Sequence, residues 1–267
     1  MINNQPLVSV IIPCFNHQDY IQETVSSVLQ SSYPKVEIII VNDGSTDKSG
    51  EVIRSLENEY ENILGIEQKN AGPSAARNAG ISKAKGTIIL PLDGDDLISK
   101  DYILEAVDTF FKSENIKLVY CKAEKFGKKN GPWKLKPFSL ESLAKDNMIF
   151  VSAMFKKEDW LSVGGFDVEM RGGWEDWEFW ISLLKSGGEV VQLPFVGFYY
   201  RTAEKSRRKI FSKKGKNKTI DYLNQKHKDF FFKYLNGPLH HQRSLSNIIN
   251  KIKSIFANIN IRNNAKS

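Results

Sequence analysis

The stretch Thr87-Ile88-Ile89-Leu90-Pro91-Leu92-Asp93-Gly94-Asp95-Asp96 carries a short apolar run straight into three carboxylates. A run of this length, bounded by turn residues, reads as a buried strand. Carboxylates crowded at its exit repel one another, and loss of water there drives their protons back on. A divalent cation relieves that repulsion, because hard cations take carboxylate oxygens. Alone, the same residues also describe a solvated acidic turn, since Asp and Gly favour turns.

Working outward, residues 7–13, 36–41 and 63–66 are further apolar strands on the N-terminal side. Between them, Tyr20, Ile21, Val25, Val28 and Leu29, then Val52, Ile53 and Leu56, follow helical spacing. Asn42-Asp43-Gly44-Ser45-Thr46-Asp47 reads as a turn in which Ser45 or Thr46 caps the next helix. Residues 73–81 form a short helix, 102–111 another, and 118–121 a fifth strand. Strands alternating with helices at this pitch predict an α/β fold with a largely parallel sheet. Ligands of such sheets bind beyond the carboxyl ends of the strands, which singles out the loops after Pro13, Val41 and Leu92. The second half is less regular. It predicts an exposed loop at 127–132, a strand at 150–155, a turn at 164–167, a helix at 174–184, and two strands at 190–193 and 196–200.

Five motifs occur in order: Ser9-Val10-Ile11-Ile12-Pro13-Cys14-Phe15-Asn16, Val41-Asn42-Asp43-Gly44-Ser45-Thr46-Asp47, Ala76-Arg77-Asn78-Ala79-Gly80, Leu92-Asp93-Gly94-Asp95-Asp96 and Trp174-Glu175-Asp176-Trp177. Together they resemble the family 2 glycosyltransferases of GT-A fold, over roughly the first 200 residues. The resemblance implies a Rossmann-like, mixed but mainly parallel sheet flanked by helices over residues 1–202. It also implies inverting, metal-dependent transfer of a sugar from a nucleotide-sugar donor, UDP-linked, to a hydroxyl of a glycan or lipid-linked acceptor, as in cell-surface polysaccharide synthesis.

The residue roles follow from the same resemblance. Pro13, Phe15 and Asn16 line the donor site. Asp43 accepts from the nucleobase imide, for which a carboxylate provides a charge-assisted bond; the plain alternative is a helix-capping turn. Arg77 lines the nucleotide pocket, where a guanidinium fork suits a base carbonyl or phosphate; the alternative is a surface salt bridge. Asp93 faces the ribose, and Gly94 lets the backbone approach closely. Asp95 holds Mn²⁺ or Mg²⁺ on the donor diphosphate, the cation neutralising charge on the leaving group. Asp96 assists the metal or caps the next helix. Asp176 is the base that takes the acceptor proton and Glu175 orients the acceptor, although both also suit the positive end of a helix dipole. Trp174 is placed to stack on the acceptor, while Trp177 and Trp180 fit the core. Relatives carry a histidine where Tyr200-Arg201-Thr202-Ala203-Glu204-Lys205-Ser206 has Ala203. Diphosphate and water then complete the metal shell, and Arg201 and Lys205 become phosphate candidates. His17, His227, His240 and His241 make no metal-binding pattern.

Charge is divided unevenly. Residues 1–202 hold 22 Lys and Arg against 28 Asp and Glu, whereas residues 203–267 hold 16 against 3. An acidic body with a basic tail fits an anionic partner. No basic groove is visible in the body, so nucleic acid is not expected. In the tail, Leu245, Ile248, Ile249, Ile252, Ile255, Phe256 and Ile259 fall at helical spacing beside Lys251 and Lys253. This predicts a basic helical extension over 203–267 that lies on an anionic membrane or docks on the catalytic domain or on a second subunit. The N-terminus lacks the pattern of a secretory signal, and Cys14 and Cys121 lie in apolar runs. Both point to a reduced, cytoplasmic protein, peripheral on the inner face of the membrane if the tail binds lipid. Two rival readings are weighed. A phosphohydrolase built on Asp93 and Asp95 leaves Asp43 and Asp176 without roles. A degenerate nucleotide-binding scaffold fits the absent histidine but not the intact acids.

Overall fold

Residues 8–14 alternate nothing: both faces of this run are apolar, and it forms β1 (Val8–Cys14), buried at every position except Pro13. The structure is a computed structural model and describes residues 5–202 and 213–264. After β1 come α1 (Ile21–Leu29), β2 (Val36–Asp43), α2 (Ser49–Glu59), β3 (Ile63–Gln68), α3 (Pro73–Lys83) and β4 (Ile88–Pro91). These four strands pair in parallel in the order β3-β2-β1-β4. Their carboxyl ends therefore lie along one edge of the sheet, where a right-handed βαβ winding leaves the loops open. Gly80 sets how closely α3 lies on the sheet, since a Cβ there would stand 2.5 Å from Ile11 Cγ2.

The rest of the sheet reverses direction. After β5 (Leu97–Ile98), α4 (Tyr102–Phe110), β6 (Ile116–Gly127), β7 (Gly131–Trp133) and α5 (Leu140–Leu143), strand β8 (Met154–Lys156) enters between β4 and β6 and pairs antiparallel with both. Then follow α6 (Lys157–Val163), α7 (Glu175–Leu184) and β9 (Glu189–Thr202), which runs parallel to β6 and antiparallel to β5. The α/β class is as expected and the sheet is mixed. It is not mainly parallel: among the described residues four pairings are parallel and four antiparallel.

Three local readings change. Only 154–156 of the predicted strand 150–155 is a strand. Before it, the carbonyls of Ile149 and Ser152 accept from Trp180 Nε1 (3.2 Å) and the Tyr102 hydroxyl (2.7 Å), so side chains take the place of a ladder. The two strands predicted at 190–193 and 196–200 are one, β9, which absorbs Pro194 in a bulge where two steps along β6 (Tyr120 to Lys122) oppose four on β9 (Gln192 to Val196). The predicted loop 127–132 is a tight hairpin between β6 and β7, turned by Gly127 and Gly131 at φ 92° and 119°.

The chain resumes in α8 (Lys213–Lys226), α9 (Lys228–Leu235), a 3₁₀ turn (Arg243–Leu245) and α10 (Ser246–Asn264). The docking alternative holds for much of this extension. Leu223, Phe231 and Leu235 are fully buried. The Tyr222 hydroxyl donates to Asp167 Oδ2 at 2.6 Å, and Lys226 pairs with the same carboxylate. Glu178, fully buried on α7, accepts from Ser182 Oγ (2.8 Å), Lys226 Nζ (2.9 Å) and His227 Nε2 (2.8 Å). Burial by itself would raise the Glu178 carboxyl, yet these three donors hold it below its ordinary value. From residue 251 to 256 α10 is exposed on every side.

Candidate active site

The loops after β1, β2 and β4 are knitted to one another before any ligand is considered. Asn16, in the left-handed region at φ 57°, donates its N–H to Ser45 Oγ (3.0 Å) and accepts from Thr46 N–H (2.7 Å). Ser45 and Thr46 are therefore spent on joining the β1 and β2 loops. They cap no helix; the Ser49 N–H at the start of α2 is taken by Asp47 Oδ1 at 2.9 Å. Phe15 is exposed beside them, and Pro13 is half-buried. Gly94 lies against the same corner: a Cβ there would meet His17 Nδ1 at 2.7 Å and the Pro13 carbonyl at 3.1 Å. The close approach that requires a glycine is thus one of protein to protein.

Asp43 is buried and carries three hydrogen bonds. Its Oδ1 accepts from Gln68 Nε2 (2.6 Å) and Ala71 N–H (2.8 Å), and its Oδ2 from Gly72 N–H (2.9 Å). It caps no helix of its own; it fixes the loop that launches α3. Arg77, one turn into α3, is buried, which excludes the surface salt bridge. Its fork spans two loops, with Nη2 on Asp93 Oδ1 at 2.7 Å and Nη1 on Glu175 Oε1 at 3.2 Å. The two carboxylates overcome burial and raise the guanidinium pKa, while its Nε is buried without a hydrogen-bond partner.

Asp93, Asp95 and Asp96 then divide. Asp96 is almost fully buried and neither caps the next helix nor faces outward: its Oδ1 accepts the Arg201 N–H at 2.7 Å, and the residue preceding α4 is Asp101. Burial first, then Asp95 and Asp93, push its carboxyl well above the ordinary range. Asp95 is half-buried, and burial also raises it, opposed by His17 and reinforced by Asp93. Arg201 already has partners within the protein. Its Nε donates to the Asp95 carbonyl (2.7 Å) and its Nη2 to Glu23 (2.5 Å), and the guanidinium lies 4.7 Å from the Tyr20 ring and 4.4 Å from that of Phe126. Ala203 and Lys205 lie outside the described residues.

Across Arg77, α7 begins at Glu175. Trp174 precedes it with φ 67°, a conformation that bulky residues rarely adopt. Asp176 Oδ1 accepts the Trp177 N–H at 2.8 Å and Oδ2 accepts from Asn147 Nδ2 at 2.8 Å. Burial, then the Glu175 charge, lift the Asp176 carboxyl to about 7, against the pull of that N–H and of Arg77. Trp177 and Trp180 are core residues, fully buried with Nε1 of each on a backbone carbonyl. Asn147 escaped the sequence reading, and His17 entered it only as one of four histidines without a metal-binding pattern. Asn147 lies in an irregular segment with no periodic signal, and the Nδ1 of His17, buried and unpaired, faces Gly94 only through the fold.

Residues 9–166 match the family described as glycosyl transferase family 2. The chain belongs to that family. This family 2 member is 41% identical to the glycosyltransferase GlyA of Streptococcus pneumoniae serotype 4 over 105 residues, 39% of this chain and 14% of GlyA. It is 31% identical to the hyaluronan synthase of Pasteurella multocida over 191 residues, 70% of this chain and 19% of the synthase. It thus spans less than a fifth of either relative's length. Among solved structures, S. aureus TarS 1-349 in complex with UDP-GlcNAc superposes with a TM-score of 0.70 at 19% identity, covering 90% of this chain and 73% of that one. The mannosyltransferase PcManGT of Pyrobaculum calidifontis, in complex with GDP-Man and Mn²⁺, superposes with a TM-score of 0.67 at 18% identity, covering 94% and 74%. The family 2 chain shares their fold, a GT-A-like one.

Proposed function

We propose that this chain transfers a sugar from a UDP-linked donor to a hydroxyl of a glycan or lipid-linked acceptor, with inversion, in cell-surface polysaccharide synthesis. One observation carries the reading: Asp43 fixes the start of α3, α3 carries Arg77, and Arg77 joins Asp93 to Glu175 with Asp176 next in line. Donor-side and acceptor-side carboxylates are thereby held in one constellation. Inversion is a single displacement, in which the acceptor oxygen attacks the anomeric carbon opposite the leaving diphosphate. Asp176, with its carboxyl lifted to about 7, is basic enough to take the hydroxyl proton near neutrality. Glu175, held by Arg77, orients the acceptor. Pro13, Phe15, Asn16, Asp43 and Arg77 bound the nucleotide, and Asp93 and Gly94 the ribose side.

Asp95 is the residue that would hold Mn²⁺ or Mg²⁺. Carboxylates whose pKa is raised by burial and by one another suit a hard dication, which would neutralise charge on the departing diphosphate. Among the described residues no group of three or more His, Cys, Asp or Glu could hold a metal, so diphosphate and water would fill the remaining positions. The Mn²⁺ in PcManGT supports this cation, and the donors in the two neighbours, UDP-GlcNAc in TarS and GDP-Man in PcManGT, support a nucleotide-sugar, with TarS on the side of UDP. The exposed Ile248, Ile252, Ile255 and Phe256 of α10, beside Lys251 and Lys253, support a peripheral seat on an anionic membrane from the cytoplasmic side. No helix of the described residues is long and apolar enough to cross a membrane.

Calorimetry with UDP, with and without Mn²⁺, followed by turnover of a panel of sugar nucleotides, tests the reading. Metal-dependent UDP binding with turnover of one donor is expected. Tight binding without turnover of any donor would favour a degenerate scaffold, and hydrolysis of simple phosphate esters a phosphatase.

A further inference from the structure

The contacts of Asp176 also run away from the donor, into the C-terminal helices. Asn147, which donates to Asp176 Oδ2, has its own amide oxygen on the Ile149 N–H at 3.1 Å, so a flipped amide would lose both bonds. The Asn147 N–H donates to Asp146 Oδ1 at 3.1 Å, and that same oxygen accepts Arg243 Nη1 at 2.7 Å. The Arg243 guanidinium also lies 5.0 Å from the Trp174 ring and 5.3 Å from the Trp177 ring, the two indoles that bracket Glu175 and Asp176 in sequence. One side chain from the extension therefore holds both the loop that presents Asn147 to the carboxylate and the aromatic pair around it. Stacking and ion pairing together suit arginine, whose planar fork does both at once.

The turn bearing Arg243 is itself fastened. His240 N–H donates to Ser246 Oγ at 2.9 Å, and His240 Nε2 lies 2.7 Å from Asn250 Oδ1. The Asn250 amide nitrogen bonds the carbonyls of Leu235 (3.0 Å) and Pro238 (2.9 Å). Trp174 needs such support, because a bulky residue at positive φ persists only where its surroundings over-determine it.

We propose that Arg243 is a positioning residue for transfer. The extension is then part of the acceptor side of the site: Arg243 sets the 146–147 loop and Trp174, and these aim the Asp176 carboxylate at the attacking hydroxyl. The inference rests on Asp176 acting as the base.

The full-length chain tests it with Arg243→Ala, Arg243→Lys, Asp146→Asn and Asn147→Ala. The readouts are UDP and Mn²⁺ affinity, thermal midpoint, and steady-state turnover of the sugar nucleotide the wild type uses. A misaimed base predicts kcat down by about 10- to 100-fold for Arg243→Ala, with donor KM and UDP affinity within about twofold and partial rescue by lysine. Adding Arg243→Ala to Asn147→Ala should cost less than the two separate losses combined, because part of the Arg243 effect passes through Asn147. If Arg243→Ala does not fold, Asp146→Asn keeps the stacking, removes the pairs with Arg243 and with the exposed Lys136, and should lower kcat in the same way, while Lys136→Ala should not. Unchanged kcat, loss only in step with the folded fraction, or fully additive effects would overturn the proposal. Hydrogen exchange gives a readout independent of turnover: Arg243→Ala should speed exchange at 146–149 and 174–177 and leave α1 to α3 unaltered, and unaltered exchange at 146–149 would also overturn it. Full turnover by Asp176→Asn would instead remove the base, and with it the underlying functional reading.

Discussion

Asp176 stands where burial and the neighbouring Glu175 oppose its charge, and its carboxyl titrates near 7 instead of the ordinary 3.8. A base must be unprotonated to act, so turnover should rise with pH through about 7 and level off above it. The same shift bears on stability. A carboxylate raised in the fold contributes stability that is present below its unfolded value and lost as pH rises through the folded one. The Asp176→Asn variant should therefore gain on the wild type in urea midpoint at pH 8 relative to pH 4, while it keeps UDP binding and loses transfer. A midpoint difference that does not vary with pH would contradict a raised, Glu175-opposed carboxylate. Arg77 is the opposite case, a buried cation with two anionic partners. Arg77→Ala should cost about 3 kcal/mol by urea denaturation, because it strands the buried Glu175 charge, while the partly exposed Asp93 regains water. Sequence alone places Arg77 on a short helix but not inside the protein, since burial of a charge depends on partners that lie 16 and 98 residues away.

At the scale of elements, the parallel half of the sheet was legible because each of its strands is a bounded apolar run and each helix shows its periodicity. Gly80 shows the tolerance of that packing. Gly80→Ala should cost about 1–3 kcal/mol in a denaturant titration, since its Cβ would press on Ile11 of β1; a cost near zero would mean that α3 can lift off the sheet freely. The readings that changed share one cause. Residues 150–153 are as apolar as a strand, but Trp180 and Tyr102 satisfy the neighbouring carbonyls from elsewhere in the chain. Pro194 looked like a break, yet a bulge carries β9 past it. Ser45 and Thr46 looked like caps, yet Asn16 claims them. Local chemistry proposes such roles, and tertiary partners reassign them.

For the whole molecule, the basic extension has two parts with different fates. Its first helices are held through Glu178, whose carboxyl is kept low by His227, Lys226 and Ser182 against the effect of burial. A carboxylate lowered in the fold contributes stability above its unfolded value, lost as pH falls through the folded one. Glu178→Ala should cost about 3–5 kcal/mol by leaving the buried His227 Nε2 without its acceptor and Lys226 with Asp167 alone, and should flatten the acid limb of the stability profile below the ordinary glutamate value of 4.5. Residues 251–256 of α10 carry exposed apolar and basic side chains, set apart from the buried contacts of the docked helices. A chain ending at Asn250 should keep its fold and its turnover in solution but lose salt-sensitive binding to anionic vesicles. Retained vesicle binding, or none in the intact chain, would end the membrane reading of α10.

The sequence by itself determined the class of the fold, the positions of its first strands and helices along the chain, the family, and which carboxylates are candidates for chemistry. These rest on short-range periodicity and on residue types that few other uses require. Only the tertiary structure decided that the sheet is evenly mixed, that Arg77 and Asp96 are internal, that Arg201 is already engaged, and that Asn147 and Arg243 meet behind Asp176. Each of those outcomes depends on groups far apart in the chain competing for the same hydrogen bond or the same dry volume, and that competition leaves no periodic trace along the backbone.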